Sequence, residues 1–219
     1  MVYRILRAIF GIAVRMFFRR IEVQGIENVP GSGPVLLLPN HPNALVDALV
    51  ILVNLDRPVS LTAKSTLADN PLLKFFIRMT NVILLHRKQD VREGADPSRN
   101  VRAIEECCQR LEHGGAVCLF PEGQSHSDPD LRPFRWGAAR IALEFQQAAD
   151  TSEPLTIIPV GLNFLHKDQF RSDVWLRFGN PLDVQAWIRD NPEGDAALLT
   201  AAIEERVREL EEPYAEGRS

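Results

Sequence analysis

Six short apolar runs, separated by stretches of helical periodicity, set the narrowest limit on what this chain can fold into. VLLLPN (35–40), VSLTAK (59–64), VILLHR (82–87), AVCLFP (116–121), LTIIPVGLNF (155–164) and VWLRFG (174–179) have the length and β-branched content of strands. Four of them are almost continuously apolar, as expected of a sheet covered on both faces. Helical segments are expected near 43–54, 70–79, 99–113 and 134–149, with a charged one near 196–212. Strands alternating with helices predict an α/β fold, a mixed and mostly parallel sheet flanked by helices. Gly31-Ser32-Gly33-Pro34 and the polar stretch 88–98 punctuate the chain as turn and loop. There is no internal repeat, so one domain over residues 21–219 is expected behind an N-terminal helix over 1–20.

The charge of that helix is informative. MVYRILRAIFGIAVRMFFRR holds five arginines and no acid, whereas the last thirty residues are strongly acidic. On a helical wheel Ile5, Leu6, Ile9, Phe10, Ala13, Met16 and Phe17 share one face, with Arg4, Arg7, Gly11 and Arg15 on the other. Its longest uncharged run, Ala8–Val14, is far short of the roughly 20 apolar residues that cross a bilayer. No small-residue cleavage site follows it, so a secretory signal is not expected. An amphipathic basic helix with a phenylalanine-rich face suits the membrane interface, where anionic lipid attracts it. The competing reading docks that face on the protein's own core. The first reading predicts a peripheral or monotopic protein on the cytoplasmic side of a membrane.

Composition narrows the function. With a formal net charge of −4 and no basic stripe beyond the N-terminus, nucleic acid is not an expected partner. The three cysteines, Cys107, Cys108 and Cys118, have neither disulfide-framework nor zinc spacing, so reduced buried thiols and no metal are expected.

Sites in such sheets gather beyond the carboxyl ends of the strands. His41 follows VLLLPN, Lys64 ends VSLTAK, Arg87 ends VILLHR, and Glu122 follows AVCLFP. In NHPNALVD, a histidine in the strand-to-helix turn and Asp47 in the first turns of the helix can meet. The histidine then acts as general base, and the carboxylate fixes its tautomer. No serine or cysteine stands beside them at nucleophile spacing, which argues for direct activation of a substrate alcohol. Ser125 lacks the G-x-S-x-G turn of a hydrolase nucleophile. Glu122 and Gly123 form a tight turn whose carboxylate can accept from substrate hydroxyls and whose backbone can face a ligand. Arg87, with Lys64, can hold a phosphate. The remaining histidines, His86, His113, His126 and His166, read as surface or hydrogen-bonding residues.

Taken in order, NHPNALVD, VILLHR, LFPEGQS and IIPVGLNF resemble the four sequence blocks of the glycerolipid acyltransferases, over roughly residues 20–180. That family includes glycerol-3-phosphate and 1-acylglycerol-3-phosphate acyltransferases. The resemblance implies His41 and Asp47 as the catalytic pair. It implies Arg87, Glu122 and Gly123 as binders of the glycerol phosphate, and Pro159 as part of the wall near the acyl donor. Two features depart from the commoner pattern. Five residues, Pro42 to Val46, separate His41 from Asp47 where four are usual. Glu122-Gly123 continues as Gln124-Ser125-His126 rather than Thr-Arg, so Arg135 or Lys64 would supply the missing phosphate contact. Both departures resemble the glycerol-3-phosphate acyltransferases of the fungal kind. The implied reaction moves an acyl group from a thioester of coenzyme A or acyl carrier protein, a co-substrate, and needs no cofactor. Acylation of another lysophospholipid or alcohol, hydrolysis of a thioester or lipid, and a non-enzymatic membrane-binding module are the alternatives.

Overall fold

Eight strands form the sheet of the computed structural model, which describes residues 2–69, 77, 82–85, 98–126, 130–148 and 153–211. They are β1 (Arg20–Gln24), β2 (Val35–Pro39), β3 (Val59–Lys64), β4 (Ile83–Leu85), β5 (Ala116–Cys118), β6 (Thr156–Phe164), β7 (Asp173–Phe178) and β8 (Leu182–Asp183). Their order is β1-β7-β6-β2-β5-β3-β4, with β8 also on β6. The β6–β7 and β6–β8 pairs are antiparallel. The pairs β1–β7, β2–β5, β2–β6, β3–β4 and β3–β5 are parallel. The fold is therefore α/β with a mixed, mostly parallel sheet flanked by helices, as the apolar runs predict.

Because side chains alternate across a strand, β2 feeds two cores. Val35 and Leu37 enter the first, with helices α1 (Val2–Phe17) and α2 (Ala44–Asn54). Leu36 and Leu38 enter the second, against α3 (Ser98–Glu112), α4 (Gly137–Ala148), α5 (Val184–Asp190) and α6 (Ala196–Arg208). All four side chains are fully buried, each worth about 2 kcal/mol in area removed from water. This double cover explains why the strands read as unbroken apolar runs.

Helix α2 buries Val50, Ile51, Leu52 and Val53 in succession, a pattern possible only where a second helix covers its outer side. That helix is α1. Tyr3, Phe10, Val14, Phe17 and Phe18 pack into the first core. Ile5, Ile9, Ile12 and Met16 remain exposed. The single apolar stripe of the helical wheel thus divides into an inner and an outer face. Gly11, assigned to the polar face, is buried, and Arg7 bonds the Val53 carbonyl and Asp56, each at 3.3 Å. A wheel projects one interface, whereas this helix has two.

The helix expected over 1–20 ends at Phe17. Arg19 N–H joins the Ser172 carbonyl at 2.8 Å, and its guanidinium takes both oxygens of Asp173, at 2.9 and 2.6 Å. These bonds draw the chain out of the helix into β1. Strands β1 and β8 and helix α5 are additional to the sequence expectation, being short and weakly periodic. The expected helix over 70–79 lies outside the described residues except for Ile77.

Candidate active site

Strand register brings the site together. Leu37 of β2 pairs with Cys118 of β5, and four residues further along each chain stand His41 and Glu122. Leu61 pairs with the same Cys118, so Lys64, three residues on, ends β3 at this edge and is half-buried. Pro39 pairs with Val160 in the parallel neighbour β6, whose following loop opens on the same edge. Arg87 lies outside the described residues.

Beyond β2 the chain turns through His41, Pro42 and Asn43 into α2. Asp47, in the first turns of that helix, reaches back over this turn. Its Oδ2 accepts from the Asn43 backbone N–H at 2.7 Å and from His41 Nδ1 at 2.9 Å. A carboxylate only accepts, so Nδ1 carries the proton and Nε2 carries the lone pair. Nε2 has no hydrogen-bond partner among the described residues. Within the five residues between His41 and Asp47, Ala44 holds φ +46, a left-handed conformation that costs a side-chain-bearing residue about 1–2 kcal/mol. Asp47 is 0% exposed. Burial raises its pKa, against the hydrogen bonds from His41 and Asn43. Its Oδ1 is buried and has no hydrogen-bond partner among the described residues.

The His41 ring stacks on Phe120, with centroids 3.9 Å apart and planes at 22°. Glu122, 3% exposed, gives both oxygens to protein donors. Oε1 accepts from the His41 backbone N–H at 2.7 Å. Oε2 accepts from His126 Nε2 and from the Arg132 N–H, the latter at 3.4 Å. The expectation assigned this carboxylate to substrate hydroxyls; in the structure its oxygens also fasten the His41 turn. Gly123 has φ +79, which glycine alone adopts without cost. A Cβ there would stand 2.8 Å from Nε of Arg135, whose side chain crosses the turn. The Gly123 N–H is used within the turn, on the Phe120 carbonyl at 3.1 Å. Arg135 itself is exposed.

Pro159 is elsewhere. It is buried within β6 and pairs with Leu38, whose side chain belongs to the second core. Gly179 and Leu210 close over this stretch of β6, on the sheet face opposite His41 and Phe120.

Three further residues tie the site together. The Asn40 side chain accepts from Leu162 N–H at 2.7 Å and donates to the Leu162 carbonyl at 3.0 Å, fastening β2 to β6. It also donates to Glu211 Oε1 at 2.7 Å, a carboxyl whose pKa burial raises. Lys167, in the loop after β6, donates to the carbonyls of Pro42 at 2.9 Å and His126 at 3.2 Å. Asn43 Nδ2 in turn donates to the Lys167 carbonyl at 2.7 Å. The strand-end rule that singled out His41 and Glu122 applies equally to Lys167. Asn40 and His126 carried no signal in sequence beyond standing next to His41 and in the Glu122 turn. Among the described residues no group of three or more His, Cys, Asp or Glu is placed to hold a metal ion.

Known proteins are similar to this chain in sequence and in fold. Glycerol-3-phosphate O-acyltransferase 2 of Saccharomyces cerevisiae is 32% identical over 113 residues, 50% of this chain and 15% of that protein. A chloroplastic 1-acyl-sn-glycerol-3-phosphate acyltransferase of Brassica napus is 29% identical over 146 residues, 66% of this chain and 38% of that protein. The chain thus spans well under half the length of these relatives. The crystal structure of the 1-acyl-sn-glycerophosphate (LPA) acyltransferase PlsC from Thermotoga maritima superposes with a TM-score of 0.74 at 23% identity. It covers 99% of this chain and 81% of its own. The sequence model of the Acyltransferase family matches residues 20–163, which hold His41, Asp47, Glu122 and Pro159. The chain belongs to the Acyltransferase family.

Proposed function

We propose that this protein transfers an acyl group from a thioester donor, coenzyme A or acyl carrier protein, to a hydroxyl of glycerol-3-phosphate or 1-acylglycerol-3-phosphate. The observation that carries the reading is the His41 Nδ1–Asp47 Oδ2 bond of 2.9 Å, which leaves the lone pair of Nε2 for a substrate proton. His41 Nε2 takes the proton of the acceptor hydroxyl as its oxygen attacks the thioester carbonyl carbon. A C–O bond forms and the C–S bond breaks. The imidazolium then returns the proton to the departing thiolate, and Asp47 stabilises the transient positive charge. Because the Gly123 N–H is engaged within its own turn, we assign oxyanion stabilisation to the Ala44 and Leu45 N–H groups opening α2. Lys64, Arg87 and Arg135 are the cations we assign to the acceptor phosphate.

The exposed face of α1 supports a peripheral seat on a membrane, which we assign to its cytoplasmic side. Ile5, Ile9, Ile12 and Met16 recur at intervals of one helical turn and are more than half exposed. Arg15 follows on the same helix and Arg20 just after it, both exposed, and anionic lipid favours such a border. Phe170, 68% exposed, extends the patch through its edge contact with Phe17 at 5.9 Å. Among the described residues no helix is long and apolar enough to cross a membrane.

Thiol release from an acyl donor tests the reaction, measured without acceptor, with glycerol-3-phosphate and with its monoacyl form. Release that depends on an acceptor, lost in His41→Ala with the fold intact, is expected. Equal release without acceptor would identify a hydrolase instead.

A further inference from the structure

His126 lies four residues beyond Glu122, outside the pair that performs the proposed chemistry. Its ring is almost fully enclosed and donates from Nε2 to Glu122 Oε2. Through the other oxygen of that carboxylate the contact continues to the His41 backbone N–H at 2.7 Å. The His126 backbone adds a second tie, its N–H reaching the His41 carbonyl at 3.3 Å. Both peptide groups of His41 are therefore held by the turn that ends in His126. Lys167 joins the carbonyls of Pro42 and His126 from the β6–β7 loop, so the two turns are fastened at a third point.

We propose that His126 is a positioning residue for acyl transfer: its ring N–H orients the Glu122 carboxylate, which fixes the backbone from which the His41 imidazole projects. The inference rests on the reading of His41 as general base. Its physical content is that without the ring N–H, Glu122 Oε2 keeps only the longer Arg132 N–H contact at 3.4 Å, so the buried carboxylate is held less firmly. A rotated Glu122 releases the His41 N–H and lets the ring shift relative to Phe120 and Asp47. A displacement of about 1 Å at a reacting group costs on the order of 10²-fold in rate. Since the His126 ring is almost fully enclosed, its loss acts on turnover and not on acceptor binding.

His126→Phe keeps a ring without the N–H, and His126→Gln restores a donor the same number of bonds from the backbone. For His126→Phe, kcat is expected to fall by about tenfold to 10²-fold with the acceptor KM little changed, and His126→Gln recovers most of the loss. Ring ¹⁵N resonances of His41, recorded at one fixed pH, move in His126→Phe and return in His126→Gln. Should the phenylalanine variant be insoluble, His126→Asn, whose amide falls short of Glu122, takes its place with the same expectations. Wild-type kcat in the donor-less variant, a change in KM alone, or equal impairment of the glutamine variant would overturn the inference. So would His41 resonances that stay in place. If the wild-type protein transfers no acyl group, the functional reading fails, while the His41 resonances still decide whether His126 positions that ring.

Discussion

The backbone N–H of His41 donates to Glu122 Oε1 at 2.7 Å, so the residue with the reactive imidazole and the buried carboxylate of the next turn form one unit. The bond joins the ends of two neighbouring parallel strands.

Glu122→Gln should therefore disturb the site without changing the side chain's volume. The His41, His126 and Arg132 donors converge on its oxygens, and an amide NH₂ would oppose one of them. Leaving a buried donor unsatisfied costs about 1–3 kcal/mol. A lowered urea midpoint and reduced acyl transfer are expected together, and an unchanged midpoint would show that the carboxylate is not the anchor.

Asp47→Asn separates activity from stability. The amide cannot support the imidazolium, so kcat should fall on the order of 10²–10⁴-fold. Stability should respond differently. Burial raises the Asp47 pKa in the folded protein, so the folded state binds this proton more tightly than the unfolded chain does. Its contribution to stability is then greatest at low pH. It declines as pH rises from the ordinary aspartate value of about 4 through the raised value. The asparagine variant lacks this decline, so its stability relative to wild type should improve as pH rises across that window. Chemical denaturation at several pH values between 4 and 8 checks the sign.

The outer face of α1 can be tested without touching the core. Ile9→Glu and Ile12→Glu alter side chains that are 54% and 62% exposed, so stability should change by less than about 0.5 kcal/mol. Binding to vesicles rich in anionic phospholipid, read by sedimentation, should be lost or strongly weakened. Retained binding would remove α1 from the proposed membrane seat.

The thiols should be silent in the folded protein. Burial pushes Cys107 up to about 12 and Cys108 up to about 11, and Cys118 higher still. At pH 8 little thiolate is present, so a disulfide reagent such as dithionitrobenzoate should react slowly until denaturant is added, then consume three equivalents. Fast labelling of the native protein would contradict this burial, and slow labelling leaves the thiol-release assay free of background.

Particular residues show how far the sequence could be read. His41 and Asp47 were legible because both lie on one short segment, and a turn plus the start of a helix fixes their separation. Glu122 was legible as a strand-end residue, but its role was not. Whether a carboxylate faces substrate or the protein depends on donors contributed from 81 residues back, at His41, as well as from its own turn. Pro159 shows the opposite limit. Its motif was recognisable, yet the register with Leu38 places it on the sheet face away from the His41 ring.

The amino-acid sequence by itself determined the α/β class, the doubly covered strands and the positions of the reactive residues at strand ends. Those properties follow from local periodicity and from how many faces a segment must bury. Tertiary structure alone decided that α1 has two apolar faces, one closed on α2, and that His126 and Lys167 join the turns of His41 and Glu122. These contacts form between segments distant in the chain. Their geometry comes from sheet order and register, which no single segment encodes.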